Sequence, residues 1–249
     1  MSSFAVRSSP PLTLAGWLRH DGIRRLLADL DGVETVLEIG AGEGALGVRL
    51  ASAYEYIGVE PDPAARARAA ARLADGGRGA VIGGLDELGP ERRFDLVCAF
   101  EVLEHIADEQ AALAEWGQRL GPAGLLLLSV PAGEGRFGAA DRRVGHYRRY
   151  EPDRLGRVLG EAGFEVERSE QVGLPLGYWL EGARHVIARS SRAETSPEAR
   201  SASSGRWLQP PESLGAATRA ITAPFRALEA RLPADRPGTN LIVLARARR

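Results

Sequence analysis

The sequence predicts an α/β protein built on a doubly wound, mostly parallel sheet of seven strands. Short β-favouring apolar runs alternate with stretches of helical spacing, which is the pattern of strands joined by crossover helices. The first run, Val36-Leu-Glu-Ile39, stops at the glycine cluster Gly40-Ala-Gly-Glu-Gly44 and leads into a helical stretch. The length, 249 residues with 44% hydrophobic and 26% charged, suits one such domain with additions.

Taken in order, residues 1–11 are polar and rich in serine and proline, and are expected to be mobile. Residues 12–30 carry Leu14, Trp17, Leu18, Ile23, Leu26, Leu27 and Leu30 at helical spacing, a helix to cover a sheet edge. Strands are expected near 35–39, 56–60, 80–82, 94–99, 124–130, 164–168 and 238–247. Helices are expected near 44–52, 63–74, 107–120 and 152–162, with Asp62 capping and Pro63 opening the second of these. Gly121-Pro-Ala-Gly124 breaks the chain before the fifth strand. Residues 190–211 lose all apolar periodicity apart from Trp207 and Leu208 and read as a flexible excursion. Beyond it, residues 214–232 regain helical spacing, interrupted by Pro224. The domain is therefore expected over 12–189 and 238–249, with 190–237 inserted as a flexible segment and lid helix.

A net charge of −1 gives no reason to expect a nucleic-acid partner or an anionic membrane surface. All 32 basic residues are arginine; with so much alanine and glycine this reads as coding bias. The lone Cys98 excludes an intramolecular disulfide and a cysteine-based zinc cluster, and its apolar strand predicts burial. No signal peptide and no membrane span are read, so a cytoplasmic protein is expected. The four histidines, His20, His105, His146 and His185, are scattered with no pair at ligand spacing, and no metal site is expected.

The glycine loop is the centre of the functional reading. Strand, glycine turn and helix together bring backbone N–H groups against a ligand, and a side chain on the turn would block that approach. The second strand ends on Glu60, twenty residues after Gly40, about the interval that sets an acid on a ribose diol. Gly42-Glu-Gly-Ala-Leu-Gly47 also fits the dinucleotide pattern G-x-G-x-x-G. Against that stand Glu38 and Glu43, two acids that would repel a pyrophosphate but favour an ammonium or sulfonium.

Leu37-Glu-Ile-Gly-Ala-Gly-Glu-Gly44, Val59-Glu-Pro-Asp62 and Phe94-Asp-Leu-Val-Cys-Ala-Phe-Glu-Val-Leu-Glu-His-Ile106 together resemble the class I S-adenosylmethionine-dependent methyltransferases, in that family's order and spacing. The resemblance implies a Rossmann-like methyltransferase fold whose last strand is antiparallel, and S-adenosyl-L-methionine as cofactor. It places Gly40, Ala41, Gly42 and Gly44 against the methionine part, Glu38 at the amino group, and Glu60 with Pro61 at the ribose. Leu85 and Asp86 would meet the adenine, and Phe100, Glu101 and Val102 would line the pocket near the methyl group.

The run Asp141-Arg-Arg-Val-Gly-His-Tyr-Arg-Arg-Tyr150 follows the fifth strand, at the sheet end where α/β folds build their sites. His146 is the natural base for a hydroxyl that must lose its proton. Tyr147, Arg148, Arg149 and Tyr150 could hold an anionic acceptor, with Trp17 and Tyr178 shaping the pocket. The alternative is that His146 and Tyr150 pin the loop while the arginines pair with Asp141 or Glu151. Similar Gly-His-x-Arg-Arg-Tyr runs occur in resembling methyltransferases of diverse acceptors, which favours a partly structural role.

The expected function is methyl transfer to a small-molecule acceptor, most simply a hydroxyl of a sugar or glycosylated metabolite, by a monomer or homodimer. C-methylation of a quinone-like or polyketide ring stays open. So do, from other classes, an NAD(P)-dependent oxidoreductase and a non-catalytic donor-binding module.

Overall fold

A computed structural model of the protein describes residues 10–74, 79–190, 211–233 and 236–248. The expected flexible excursion apart from its end residues 190 and 211, and all of the expected mobile start except its last two residues, fall outside these. Pro10 and Pro11 correct the end of that start: both are buried, and the Pro10 carbonyl accepts a hydrogen bond from Arg49 Nη2 at 2.8 Å.

Seven strands form one sheet in the order β3-β2-β1-β4-β5-β7-β6. They are β1 (Thr35–Ile39), β2 (Glu55–Val59), β3 (Gly79–Ile82), β4 (Phe94–Phe100), β5 (Leu120–Pro131), β6 (Phe164–Val172) and β7 (Asn240–Ala247). Only β7 runs antiparallel to its neighbours, as expected of the last strand. The helices are α1 (Leu14–Ala28), α2 (Gly47–Ala51), α3 (Pro63–Ala74), α4 (Glu109–Gln118), α5 (Ala139–Val144), α6 (Pro152–Glu161), α7 (Leu176–Ser190) and α8 (Gly215–Glu229).

Continuous apolar strands serve a sheet covered on both faces. Along β1, β4 and β5 neighbouring residues alternate between two cores. Val36, Leu96, Cys98, Leu125 and Leu127 pack with Ile23 and Leu26 of α1 and with Val48 and Leu50 of α2. Leu37, Val97, Ala99, Leu126 and Leu128 pack with Leu113 and Trp116 of α4 and with Leu155 and Leu159 of α6. Cys98 is fully buried, as its strand predicted. Gly22 lets α1 approach the sheet: a Cβ there would lie 2.5 Å from Ile242 Cδ1. Gly22→Leu is therefore expected to destabilise by about 1–3 kcal/mol through overpacking, read as a lowered urea midpoint with unchanged slope.

Three expectations need correction. Gly121 to Gly124 do not precede β5 but lie within it. The β4 pairing slips there, from Phe94 opposite Leu120 to Leu96 opposite Leu125, and Ala123 takes a left-handed φ of 61°. Helix α8 runs through Pro224, which sits on an exposed stretch of the helix. Helix α7 spans fifteen residues, Leu176–Ser190, where the sequence reading placed no element.

The inserted helix α8 leans on α1. Trp17 Nε1 of α1 donates to Thr218 Oγ1 of α8 at 3.2 Å, and Arg226 pairs with Asp21 at 2.8 Å. No helix among the described residues is long and apolar enough to cross a membrane.

Candidate methyl-donor site and acceptor loop

The strand order reverses between β1 and β4, so the chain leaves their carboxyl ends in opposite directions and opens a crevice there. The glycine loop lines it from the β1 side. Gly40, Gly42 and Gly44 all hold left-handed φ values, of 73°, 55° and 78°. A Cβ on Gly40 would lie 2.5 Å from Val102 Cγ2, so the loop is seated on the segment that follows β4. A Cβ on Gly42 would meet nothing within 4 Å, which leaves open space over that backbone for a ligand.

Two acids frame this space. Glu60 Oε2 accepts from Gly42 N–H at 2.8 Å and its Oε1 from Asp62 N–H at 2.9 Å, so the carboxylate is braced against the loop. Glu38 is buried beneath the loop, and the Tyr56 hydroxyl donates to its Oε2 at 2.5 Å. Burial pushes its carboxyl up to about 8, against the lowering by Tyr56 and with a further push from Glu60. A buried acid with one neutral partner is a fitting seat for a ligand ammonium. Glu43 departs from expectation: it faces α3 instead, pairing with Arg68 at 2.9 Å and Arg72 at 3.5 Å. Its charge is spent on closing the loop, so Glu38 alone supplies the electrostatic argument for a cation.

Across the crevice, Leu85 is partly buried in a short turn and Asp86 beside it is exposed. Pro61 is exposed after β2, and Phe100 is buried at the end of β4. Glu101 adopts a left-handed φ of 59°, rare for a residue with a Cβ. Ser129 Oγ at 3.0 Å and Asn240 Nδ2 at 2.9 Å donate to its carboxylate, and Arg19 lies 3.6 Å away.

The acceptor loop is more structural than its composition suggested. Arg149 is buried and makes a two-pronged contact with Asp141, Nε to Oδ1 at 2.8 Å and Nη2 to Oδ2 at 2.9 Å, while Nη1 reaches Glu181 of α7 at 2.6 Å. Tyr150 is fully buried and donates to Glu109 Oε2 at 2.7 Å. Arg148 lies 2.9 Å from the same acid and donates to the Ala107 carbonyl at 2.7 Å. These three side chains are committed to holding the loop, which corrects the expectation that they meet an acceptor. Trp17 is likewise buried between α1 and α8, with Arg49, Arg219 and Arg226 over its ring. Tyr147 remains 54% exposed, and Tyr178 is partly exposed under Arg136.

His146 Nδ1 lies 3.0 Å from Asp141 Oδ1. Burial alone would raise the Asp141 carboxyl, but hydrogen bonds from His146, Arg149 and Gly138 hold it well below the usual carboxylate range. An anionic Asp141 makes Nδ1 the protonated nitrogen and leaves Nε2 with its lone pair. Nε2 faces Glu104 at 3.8 Å, and the His146 ring meets His105 edge-on at 4.6 Å. The fold thus gathers Glu104, His105 and His146, which overturns the reading of the histidines as scattered. Glu104 itself was not among the expected site residues. Its place three residues after Glu101 and beside His105 was the available signal.

The comparisons with known proteins agree with this frame. The family described as "Methyltransferase domain" matches residues 15–169. A protein of Mycolicibacterium smegmatis named "Probable S-adenosylmethionine-dependent methyltransferase" is 33% identical over 172 residues, covering 67% of this chain and 66% of that protein. A ubiquinone biosynthesis O-methyltransferase of Bradyrhizobium sp. is 38% identical over 102 residues, 38% of this chain and 39% of its own length. The first relatives are matched over 61–66% of their lengths. Among solved structures, the N-methyltransferase NodS of Bradyrhizobium japonicum, in complex with S-adenosyl-L-homocysteine, superposes with a TM-score of 0.56 at 18% identity, covering 92% of this chain and 85% of that one. That likeness shows the fold alone; the family match, spanning more than half of the sequence, shows that the chain belongs to the methyltransferase-domain family whose cofactor is S-adenosyl-L-methionine.

Proposed function

We propose that the protein transfers a methyl group from S-adenosyl-L-methionine to a hydroxyl of a small molecule, with His146 accepting the hydroxyl proton. The observation that carries this reading is the Asp141–His146 pair on the loop beyond β5, with Nδ1 and Oδ1 3.0 Å apart. When bound, the cofactor supplies a sulfonium methyl, and its carbon–sulfur bond breaks with the electron pair returning to sulfur as the acceptor oxygen bonds to carbon. The chain's own work is to orient and to exclude water. Glu38 holds the ammonium and the glycine loop the carboxylate end. Glu60 receives the ribose hydroxyls, Pro61 and Leu85 flank the nucleoside, and Asp86 receives the adenine amino group. Phe100, Glu101 and Val102 wall the methyl end. Tyr147 and Tyr178 are the aromatic groups left to meet an acceptor. The acceptor class proposed is a sugar or glycosylated metabolite, and the named O-methyltransferase relative supports oxygen as the nucleophile.

Calorimetric titration with S-adenosylhomocysteine tests the donor half. Micromolar binding is expected, weakened about 10–100-fold in Glu60→Ala by loss of charge-assisted hydrogen bonds. Absence of binding, or preference for NADH, would overturn it. Transfer from labelled donor to a panel of hydroxylated small molecules tests the other half; label found only on carbon would replace oxygen with a ring carbon as the acceptor.

Glu38 gives a pH signature. With its empty-site value near 8, the carboxyl is mostly protonated at pH 7, and an incoming ammonium lowers that value. Donor binding should therefore release up to one proton, and affinity should fall as pH drops from 8 towards 6. Calorimetry in buffers of different ionisation heat reads the proton directly. Glu38→Gln should abolish the release, and an unchanged release in that variant would remove Glu38 from the ammonium site.

A further inference from the structure

Glu104 is fully buried on the short turn after β4, and neither of its carboxylate oxygens has a hydrogen-bond partner. His105 Nδ1 is also buried without one. Such groups are costly to leave unsatisfied, and an apolar pair would pack the same space at less cost. His146 comes to them from the loop beyond β5, some forty residues later. One ligating atom from each of the three residues lies within 4.8 Å of the other two.

The surroundings hold the two imidazoles in place. The Gly145 main chain hydrogen-bonds the His105 ring. Asp141 Oδ1 lies 3.0 Å from His146 Nδ1 and accepts its hydrogen bond, and Nε2 faces Glu104 at 3.8 Å. Asp141 is in turn clamped by Arg149 and by the Gly138 N–H at 2.8 Å. A carboxylate behind a histidine, fixing its tautomer, is the usual outer layer of a histidine-ligated metal.

We propose that Glu104, His105 and His146 form a binding site for a divalent transition-metal ion, with zinc, cobalt or manganese as its chemical class. Two imidazole nitrogens and one carboxylate oxygen make a three-ligand set that leaves a position open. Ligand atoms around such an ion stand about 3.3 Å apart, so the side chains close by roughly 1–1.5 Å as it enters. Both imidazoles are partly exposed and can turn. The open position suits the acceptor oxygen: a bound hydroxyl is acidified and gives its proton to solvent. In the loaded protein His146 is then a ligand, and its role as free base belongs to the metal-free form. This catalytic consequence rests on the O-methyl-transfer reading; ion binding does not.

The test is titration of chelator-stripped protein with cobalt(II), followed by visible d–d absorption and by the melting temperature. Saturation at one equivalent with a raised melting temperature is expected. Glu104→Gln and His105→Ala should each weaken the ion at least tenfold, and Asp141→Asn about 10–100-fold. Wild-type protein with no absorption band and no thermal shift would overturn the site, as would a band that Glu104→Gln and His146→Gln leave untouched. Homocysteine-product calorimetry on the same samples keeps the readings apart. Cobalt binding without product binding sinks the methyl-transfer reading and spares the metal site; the reverse sinks the metal site alone.

Discussion

Arg149→Ala is expected to destabilise the protein by about 3–5 kcal/mol, the cost of leaving a buried charge without its partner. For a chain of this size that lowers the melting temperature by roughly 10 °C. The loss is large because one guanidinium serves two acids, Asp141 within the loop and Glu181 on α7. The pH dependence follows from Asp141, whose carboxyl is held below its ordinary value in the folded protein. A depressed carboxylate stabilises the fold above its unfolded value of about 3.9, and that contribution is lost as pH falls through the folded value. The gap between wild type and variant should therefore be full near neutrality and shrink below about pH 4. Thermal melts at several pH values check both statements. A variant that melts like wild type while losing acceptor affinity would return Arg149 to the substrate site.

His146→Ala is expected to lower turnover by about 10²-fold or more while leaving homocysteine-product affinity within about twofold. The imidazole sits on the loop beyond β5, whereas the glycine loop and Glu60 lie on the β1–β2 side of the crevice, so the two functions separate. A histidine that only pins the loop would behave differently, because losing its bond to Asp141 would lower stability and activity in proportion. Single-turnover rates with saturating donor, set beside melts of the same variant, decide between the two. Proportional losses would leave His146 as an anchor and remove it from the chemistry.

Much of this architecture was legible in the sequence because it rests on local rules. Short apolar runs placed the strands, and the glycines after Ile39 marked the turn where left-handed backbone was required. What stayed hidden was set by tertiary contact. Glu43 and Glu38 look alike in sequence, yet one reaches the arginines of α3 and the other points into the core. Arg149 and Tyr150 read as polar site residues because burial in an irregular segment leaves no period to detect. The meeting of His105 with His146 depends on how two loops leave neighbouring strands, β4 and β5, and no spacing rule connects them. Helix α7 was not placed, since its outer face carries Trp179, Val186 and Ile187 in the open and blurs the polar–apolar contrast.

The fork at Arg149 bears on which sequences this fold tolerates. Composition alone attributes the absence of lysine to coding bias. At this position, however, an ammonium could not replace the guanidinium: it is a point charge and lacks the flat pair of donors that meets both Asp141 oxygens while a third donor reaches α7. Asp141 and Arg149 lie on one ten-residue run and Glu181 on α7, and a change in one of the three is best accommodated by matching changes in the others.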